Sequence, residues 1–146
     1  LVSWTFDLGA ASDAIKEEVL DDLDGEFPRV DPRVETRRHR HGWYAADPTG
    51  SKTIRLNAIA HLDLTTGKRQ VYELDGGDAT SEPVFTPRSA DAPEGDGWVT
   101  AVVYRAGEDR SDLLVFEAQD IARGPIAVAK MPRRVPFGFH GNWVSF

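Results

Sequence analysis

Gly25-Glu26-Phe27-Pro28 and Ser81-Glu82-Pro83-Val84 stand 56 positions apart, counted from Glu26 to Glu82. The same spacing separates Trp4-Thr5-Phe6-Asp7-Leu8 from Ala60-His61-Leu62-Asp63-Leu64, counted from Asp7 to Asp63. Gly42-Trp43-Tyr44 and Gly97-Trp98-Val99 follow one position short of it, at 55 between the two Trp. Landmarks that keep their order and spacing define a repeat, and a period this long marks one supersecondary unit per copy. An incomplete third copy is expected, with Leu114-Val115-Phe116-Glu117 in the place of the Asp7 and Asp63 strands. His140 then falls 58 positions after Glu82, where the next Glu would stand.

Each unit reads as strands. Ile54 to Leu64 alternates in part between apolar and polar residues, and the Thr65-Thr66-Gly67-Lys68 turn leads into Arg69 to Leu74, a hairpin signal. Trp98 to Tyr104 is a short β-branched and aromatic run, which predicts a buried strand rather than a helix. Gly107-Glu108-Asp109-Arg110 turns the chain into a further strand over Asp112 to Ala118. Ser12 to Leu23 also fits a short helix, with Ser12 or Asp13 as cap and Ile15, Val19 and Leu23 on one face. The repeat aligns Lys16 to Asp21 with the neighbourhood of Tyr72, and so predicts a strand there instead.

About four strands per copy is the content of one blade of a β-propeller. The 146 residues hold about 2.6 such copies, fewer than the four to eight blades that close a propeller. Residues 1–146 are therefore expected to be a C-terminal fragment, about two and a half blades of a single propeller domain.

Composition narrows the chemistry. Seventeen Lys and Arg against 24 Asp and Glu leave a net charge of −7, which argues against a nucleic-acid partner. Arg37-Arg38-His39-Arg40-His41 is a local exception. No apolar run is long enough for a transmembrane segment, and no export leader is visible, although the first residue is Leu1 rather than Met. Cys is absent, which excludes disulfides, thiolate catalysis, Cys-bound zinc and iron–sulfur clusters, and agrees with a reducing, cytoplasmic setting. Any metal must then be held by carboxylates and by His39, His41, His61 or His140.

Most polar features carry an ordinary structural expectation. His39 and His41 would share a face of a strand, and a solvated, charge-guarded edge is expected there rather than a metal pair. Trp4, Trp43, Trp98 and Trp143 are expected to pack the core or the blades. Gly76-Gly77 is a turn without the Lys-Ser/Thr helix start of a phosphate loop, and Asp91 to Gly97 is a surface loop lacking calcium-loop spacing.

The closing stretch is different. Arg133-Arg134-Val135-Pro136-Phe137-Gly138-Phe139-His140-Gly141-Asn142-Trp143-Val144 combines rigid Pro and permissive Gly around one His with no charged neighbour. A neutral imidazole so placed can ligate a metal, although a lone His near a C-terminus is more often packed or on the surface. This stretch resembles the closing signature of the carotenoid cleavage oxygenases, which include the lignostilbene dioxygenases and the retinoid isomerohydrolase of the eye. Gly25-Glu26-Phe27-Pro28-Arg29-Val30-Asp31, Ser81-Glu82-Pro83-Val84-Phe85-Thr86-Pro87-Arg88 and the strand Asp112 to Ala118 resemble further parts of the family in order and spacing.

The resemblance implies an all-β fold, the C-terminal blades of a seven-bladed β-propeller. It implies a non-haem Fe(II) cofactor held on the propeller axis by four His, of which His140 matches the last. Glu26 and Glu82 match two of three glutamates that hydrogen-bond the metal-binding His. A carboxylate accepting the Nδ1 proton of a ligand fixes its tautomer and partly offsets the metal's charge. The implied reaction is a dioxygenase cleavage of a conjugated double bond, in a carotenoid, apocarotenoid or stilbene, by O₂ to two carbonyl products. Isomerisation also occurs in the family. The competing reading is a non-catalytic propeller segment that holds a partner and needs no metal.

Overall fold

The computed structural model of the chain describes residues 1–9, 13–51 and 55–144. Eleven strands follow one another: β1 (Val2–Phe6), β2 (Ile15–Val19), β3 (Gly25–Val30), β4 (His41–Ala46), β5 (Ala58–Asp63), β6 (Lys68–Glu73), β7 (Ala79–Thr80), β8 (Val84–Pro87), β9 (Gly97–Arg105), β10 (Arg110–Glu117) and β11 (Ala127–Lys130). Two single 3₁₀ turns, Pro32–Val34 and Ile121–Arg123, are the helical elements among the described residues. Ile15–Val19 is a strand, as the repeat required, and the helical alternative for this stretch falls. Ser12 and Ile54, named in those expectations, lie outside the described residues.

The strands form three antiparallel sheets laid side by side. β1 and β2 pair with each other; β3-β4-β5-β6 make a full four-stranded blade. In the third sheet β9, β10 and β11 follow in order, and β7 and β8 pair with successive parts of β9. β7 and β8 are thus two halves of one inner strand, interrupted at Ser81-Glu82-Pro83. β3 is interrupted at the matching place, where a bulge between Glu26 and Arg29 sets two residues, Phe27 and Pro28, against the single Tyr44 of β4.

The register corrects one landmark of the repeat. Trp43 stands opposite Arg29, and Val99 stands opposite Phe85, so Trp43 corresponds to Val99 at the full 56 positions. Trp98 corresponds to Gly42, not to Trp43. A one-residue slip exchanges the two faces of a strand. Accordingly Trp43 is fully buried, while Trp98 is half-buried beneath the Arg88 guanidinium, 4.6 Å from its ring centroid.

All six residues of β5 and all but Gly42 of β4 are buried, because this sheet is covered on both faces. One face carries Trp43 and Ile59 against Phe85, Val99, Val103, Leu114 and Phe116 of the third sheet. The other carries Tyr44, Ala46, Ala58, Ala60 and Leu62 against Leu1, Leu20 and Leu23, which flank the first sheet. Each fully buried large side chain contributes about 1.5–3 kcal/mol, so these two seams hold the blades together. Polar clasps cross them too: Tyr44 Oη donates to Asp21 at 2.6 Å, and the Asp21 carboxylate pairs with Arg69.

Two of the four Trp depart from expectation. Trp4 and Trp143 are 60% and 57% exposed. Among the described residues β1 and β2 pair only with each other, so the Trp4 indole stays at the surface and donates to Glu17 at 2.6 Å. His41 departs in the opposite sense. It opens β4 and is buried, not a solvated edge residue, because Gly95 lets the 89–96 loop close over it. Gly95 has φ +78°, and a Cβ there would lie 2.5 Å from His41 Cδ2. Glu94 of the same loop accepts from the amides of Arg40 and His41 at 2.7 and 2.9 Å.

Candidate functional site

Glu82 enters the site because its strand breaks there. Ser81 closes the β7 side, its amide bonding the Val102 carbonyl at 2.8 Å and its hydroxyl accepting from the Val102 amide at 3.0 Å. Pro83 then lacks an amide hydrogen for the ladder, and Val84 resumes pairing with Thr100. The interruption leaves Glu82 almost wholly buried, with its carboxylate facing the C-terminal segment.

That segment, residues 131–144, has no regular secondary structure and is tied down at intervals. The Met131 amide bonds the Ser111 carbonyl at 2.9 Å, and the Val135 amide bonds the Ser111 hydroxyl at 3.0 Å. Phe137 lies against Tyr104, with ring centroids 6.3 Å apart. At the far end His140 Nδ1 is 3.1 Å from Glu82 Oε1, and the Gly141 amide donates to Glu82 Oε2 at 3.0 Å.

The bond to Glu82 decides the state of the His140 ring. A carboxylate only accepts, so Nδ1 carries the hydrogen, and in the neutral imidazole Nε2 keeps its lone pair. The His140 side chain is 69% exposed, and its Nε2 has no hydrogen-bond partner among the described residues. Phe27 steadies the ring from the side, edge-on at 6.0 Å, and packs edge-on against Phe139 at 6.3 Å. It does so from a left-handed backbone, φ +57°, at the β3 bulge, a conformation that costs energy in a residue of this size.

Glu26 and Glu82 occupy equivalent places, each at the interruption of an inner strand. Both line one open hollow of about 750 Å³, together with Phe27, Arg29, His140 and Asn142. Glu26 is exposed there. The three residues singled out from sequence are therefore brought to one place. Two of its neighbours, Arg29 and Asn142, were not singled out, although both stand inside the stretches that carried the resemblance. Arg29 Nη1 lies 3.3 Å from Glu82 Oε1, and Nη2 donates to Asn142 Oδ1 at 2.7 Å.

The other histidines lie elsewhere. His41 Nδ1 and His61 Nε2 are 3.0 Å apart in a buried stack that continues through Trp43 to Phe85. Burial, followed by the neighbouring His41, pushes His61 down to about 4, and burial also lowers His41. His39 is half-buried and bonds the Arg37 carbonyl through Nδ1. Among the described residues no group of three or more His, Asp or Glu is arranged to hold a metal ion. The donor set here suits one position in a metal's shell: a single imidazole, fixed in its Nε2 lone-pair tautomer by a buried carboxylate.

Comparison with known proteins gives the same direction. A lignostilbene-α,β-dioxygenase, isozyme III, of Sphingomonas paucimobilis is 39% identical over 97% of this chain and 31% of its own length. An apocarotenoid-15,15′-oxygenase of Synechocystis is 30% identical over 97% of this chain and 29% of its own. The crystal structure of Pseudomonas brassicacearum lignostilbene dioxygenase superposes with a TM-score of 0.89 at 38% identity, over 97% of this chain and 31% of that one. The three sheets are thus blades of the carotenoid-oxygenase β-propeller. The chain spans under a third of the length of the curated relatives it matches. No helix among the described residues is long and apolar enough to cross a membrane. The retinal pigment epithelial membrane protein profile matches residues 1–145, and the chain belongs to that family, the carotenoid cleavage oxygenases.

Proposed function

We propose that this chain is part of a non-haem Fe(II) oxygenase that splits a conjugated carbon–carbon double bond, and that His140 is one of four imidazole ligands. Residues 1–146 would be the C-terminal two and a half blades of one seven-bladed propeller, with the other three imidazoles supplied by earlier blades. The observation that carries the reading is the Glu82–His140 hydrogen bond of 3.1 Å, which leaves Nε2 as the imidazole nitrogen with a lone pair. Glu26, at the equivalent place one blade earlier, would hold a ligand from a preceding blade in the same way.

Iron, when bound, supplies a site at which O₂ is activated. This chain's residues hold one ligand, fix its proton on Nδ1, and line the open hollow onto which that ligand faces. The overall reaction balances without an added reductant: one C=C bond and the O–O bond break, and two C=O bonds form. A stilbene is favoured over a carotenoid as substrate, because the lignostilbene dioxygenase is 39% identical and the apocarotenoid oxygenase 30%.

The test uses the full-length protein that carries this chain. Near-stoichiometric iron, and ¹⁸O from ¹⁸O₂ in both aldehydes formed from a hydroxystilbene, are the expected results. His140→Ala should lose both iron and cleavage. Iron content and turnover unchanged in His140→Ala would remove His140 from the site. A protein that binds no iron and consumes no O₂ with stilbenes or apocarotenoids would be a metal-free binding module.

A further inference from the structure

Three stretches far apart in sequence meet on the Glu82 carboxylate: Arg29 from the second sheet, Glu82 from the third, and His140 to Asn142 from the C-terminal segment. We propose that Arg29 is a positioning residue for His140, gripping Glu82 and Asn142 together so that the imidazole is held in one place. This rests on the reading of His140 as a metal ligand. The need for such a grip is plain from the segment itself. It has no ladder of backbone bonds, and the imidazole is largely exposed, so its place depends on a few side-chain contacts.

The bulge is what brings Arg29 to this task. In a regular strand Glu26 and Arg29, three apart, would point to opposite faces. With one extra residue in β3, they stand opposite Ala45 and Trp43, which share one face of β4. That face turns to the third sheet, where Glu82 lies. The base of the Arg29 side chain is firm, since its cross-strand partner Trp43 is fully buried and bonded to the Ala118 carbonyl. From there the two terminal nitrogens of the guanidinium diverge, Nη1 to the carboxylate and Nη2 to Asn142. A lysine ammonium is a point charge on a flexible stem and does not reproduce this fork.

The experiment compares Arg29→Ala, Arg29→Lys, Glu82→Gln, the Arg29→Ala/Glu82→Gln double variant and His140→Ala in the full-length, iron-loaded protein. Two readouts are used: the rate of iron loss to a chelator, and, in iron-free protein, the rate of chymotryptic cleavage after Phe137 and Phe139. Arg29→Ala should lose iron about 10–100-fold faster, the usual range for groups behind a ligand, and be cleaved faster in the segment. Arg29→Lys should recover little of either. In the Glu82→Gln background Arg29→Ala should add less than it costs alone, because part of its grip is on that carboxylate and only the Asn142 contact is left to lose; a merely structural role would multiply the effects in full instead. Normal iron retention and normal cleavage in Arg29→Ala or Arg29→Lys, with iron lost in His140→Ala, would overturn the role of Arg29 and leave the oxygenase reading standing. Normal retention in His140→Ala would overturn both.

Discussion

The indole N–H of Trp43 on β4 donates to the carbonyl of Ala118, 2.7 Å away, just beyond the end of β10 in the neighbouring sheet. One side chain thus fills the seam between two blades and satisfies a backbone acceptor on its far side. Trp43→Ala should cost about 3–5 kcal/mol, the usual range for emptying a buried aromatic site. Trp43→Phe should cost about 1–3 kcal/mol, mainly for the orphaned carbonyl. Trp98→Ala, on the opposite face and half-exposed, should cost less than either. Urea unfolding of the three variants checks the order; equal costs at positions 43 and 98 would contradict the 56-residue register.

Glu82 is the acceptor for three donors, so its removal is felt in folding as well as in the site. Glu82→Ala strips a buried charge partner from Arg29 and should destabilise by about 3 kcal/mol, the low end for a broken buried pair because Arg29 reaches solvent. Glu82→Gln keeps an acceptor and should cost less in stability. It should still lower iron affinity by about 10–100-fold, since the charge behind His140 is gone. Parallel thermal melts and iron titrations separate the two effects.

The His41–His61 pair predicts a pH dependence of stability. Both rings are held below their ordinary values by burial, His61 at about 4, so the folded state favours the neutral pair. Between about pH 4 and pH 6.5 the unfolded chain binds more protons than the folded one, and stability rises with pH. The contribution is complete above about pH 6.5 and is lost as pH falls toward 4. A depression of this size on His61 corresponds to something on the order of 3 kcal/mol. Denaturant midpoints across this range should flatten in His61→Phe; an unchanged slope would show that other groups carry it.

Arg33 stitches the 3₁₀ turn after β3 to the 89–96 loop. Its guanidinium pairs with the fully buried Asp31 carboxylate at 2.6 Å and reaches the carbonyls of Ala90 and Ala92 at 3.0 and 2.9 Å. Arg33→Ala leaves Asp31 buried without its partner and should destabilise by about 3–5 kcal/mol. Arg33→Lys should restore only part, because an ammonium cannot serve the carboxylate and the carbonyls together. Proteolysis of the 89–96 loop, faster in both variants, gives an independent check.

The strand content, the blade reading and the equivalent positions of Glu26 and Glu82 were legible in the sequence. The reason is physical: each blade rebuilds the same local strand geometry, so its turns, strand interruptions and inner-strand carboxylates return at one spacing. The Gly-Trp landmark misled by one position, because a matching dipeptide says nothing about which face of a strand its side chains take. His41 read as an edge residue, because the loop that buries it closes some fifty positions later through Gly95 and Glu94. The link from Arg29 to Glu82 was equally out of reach. It depends on a bulge that turns Arg29 toward the neighbouring blade and on the packing of two sheets that brings position 82 within 3.3 Å. Spacing along a chain sets which residues recur; only the folded sheets decide which of them touch, because those contacts are made across blades and not along them.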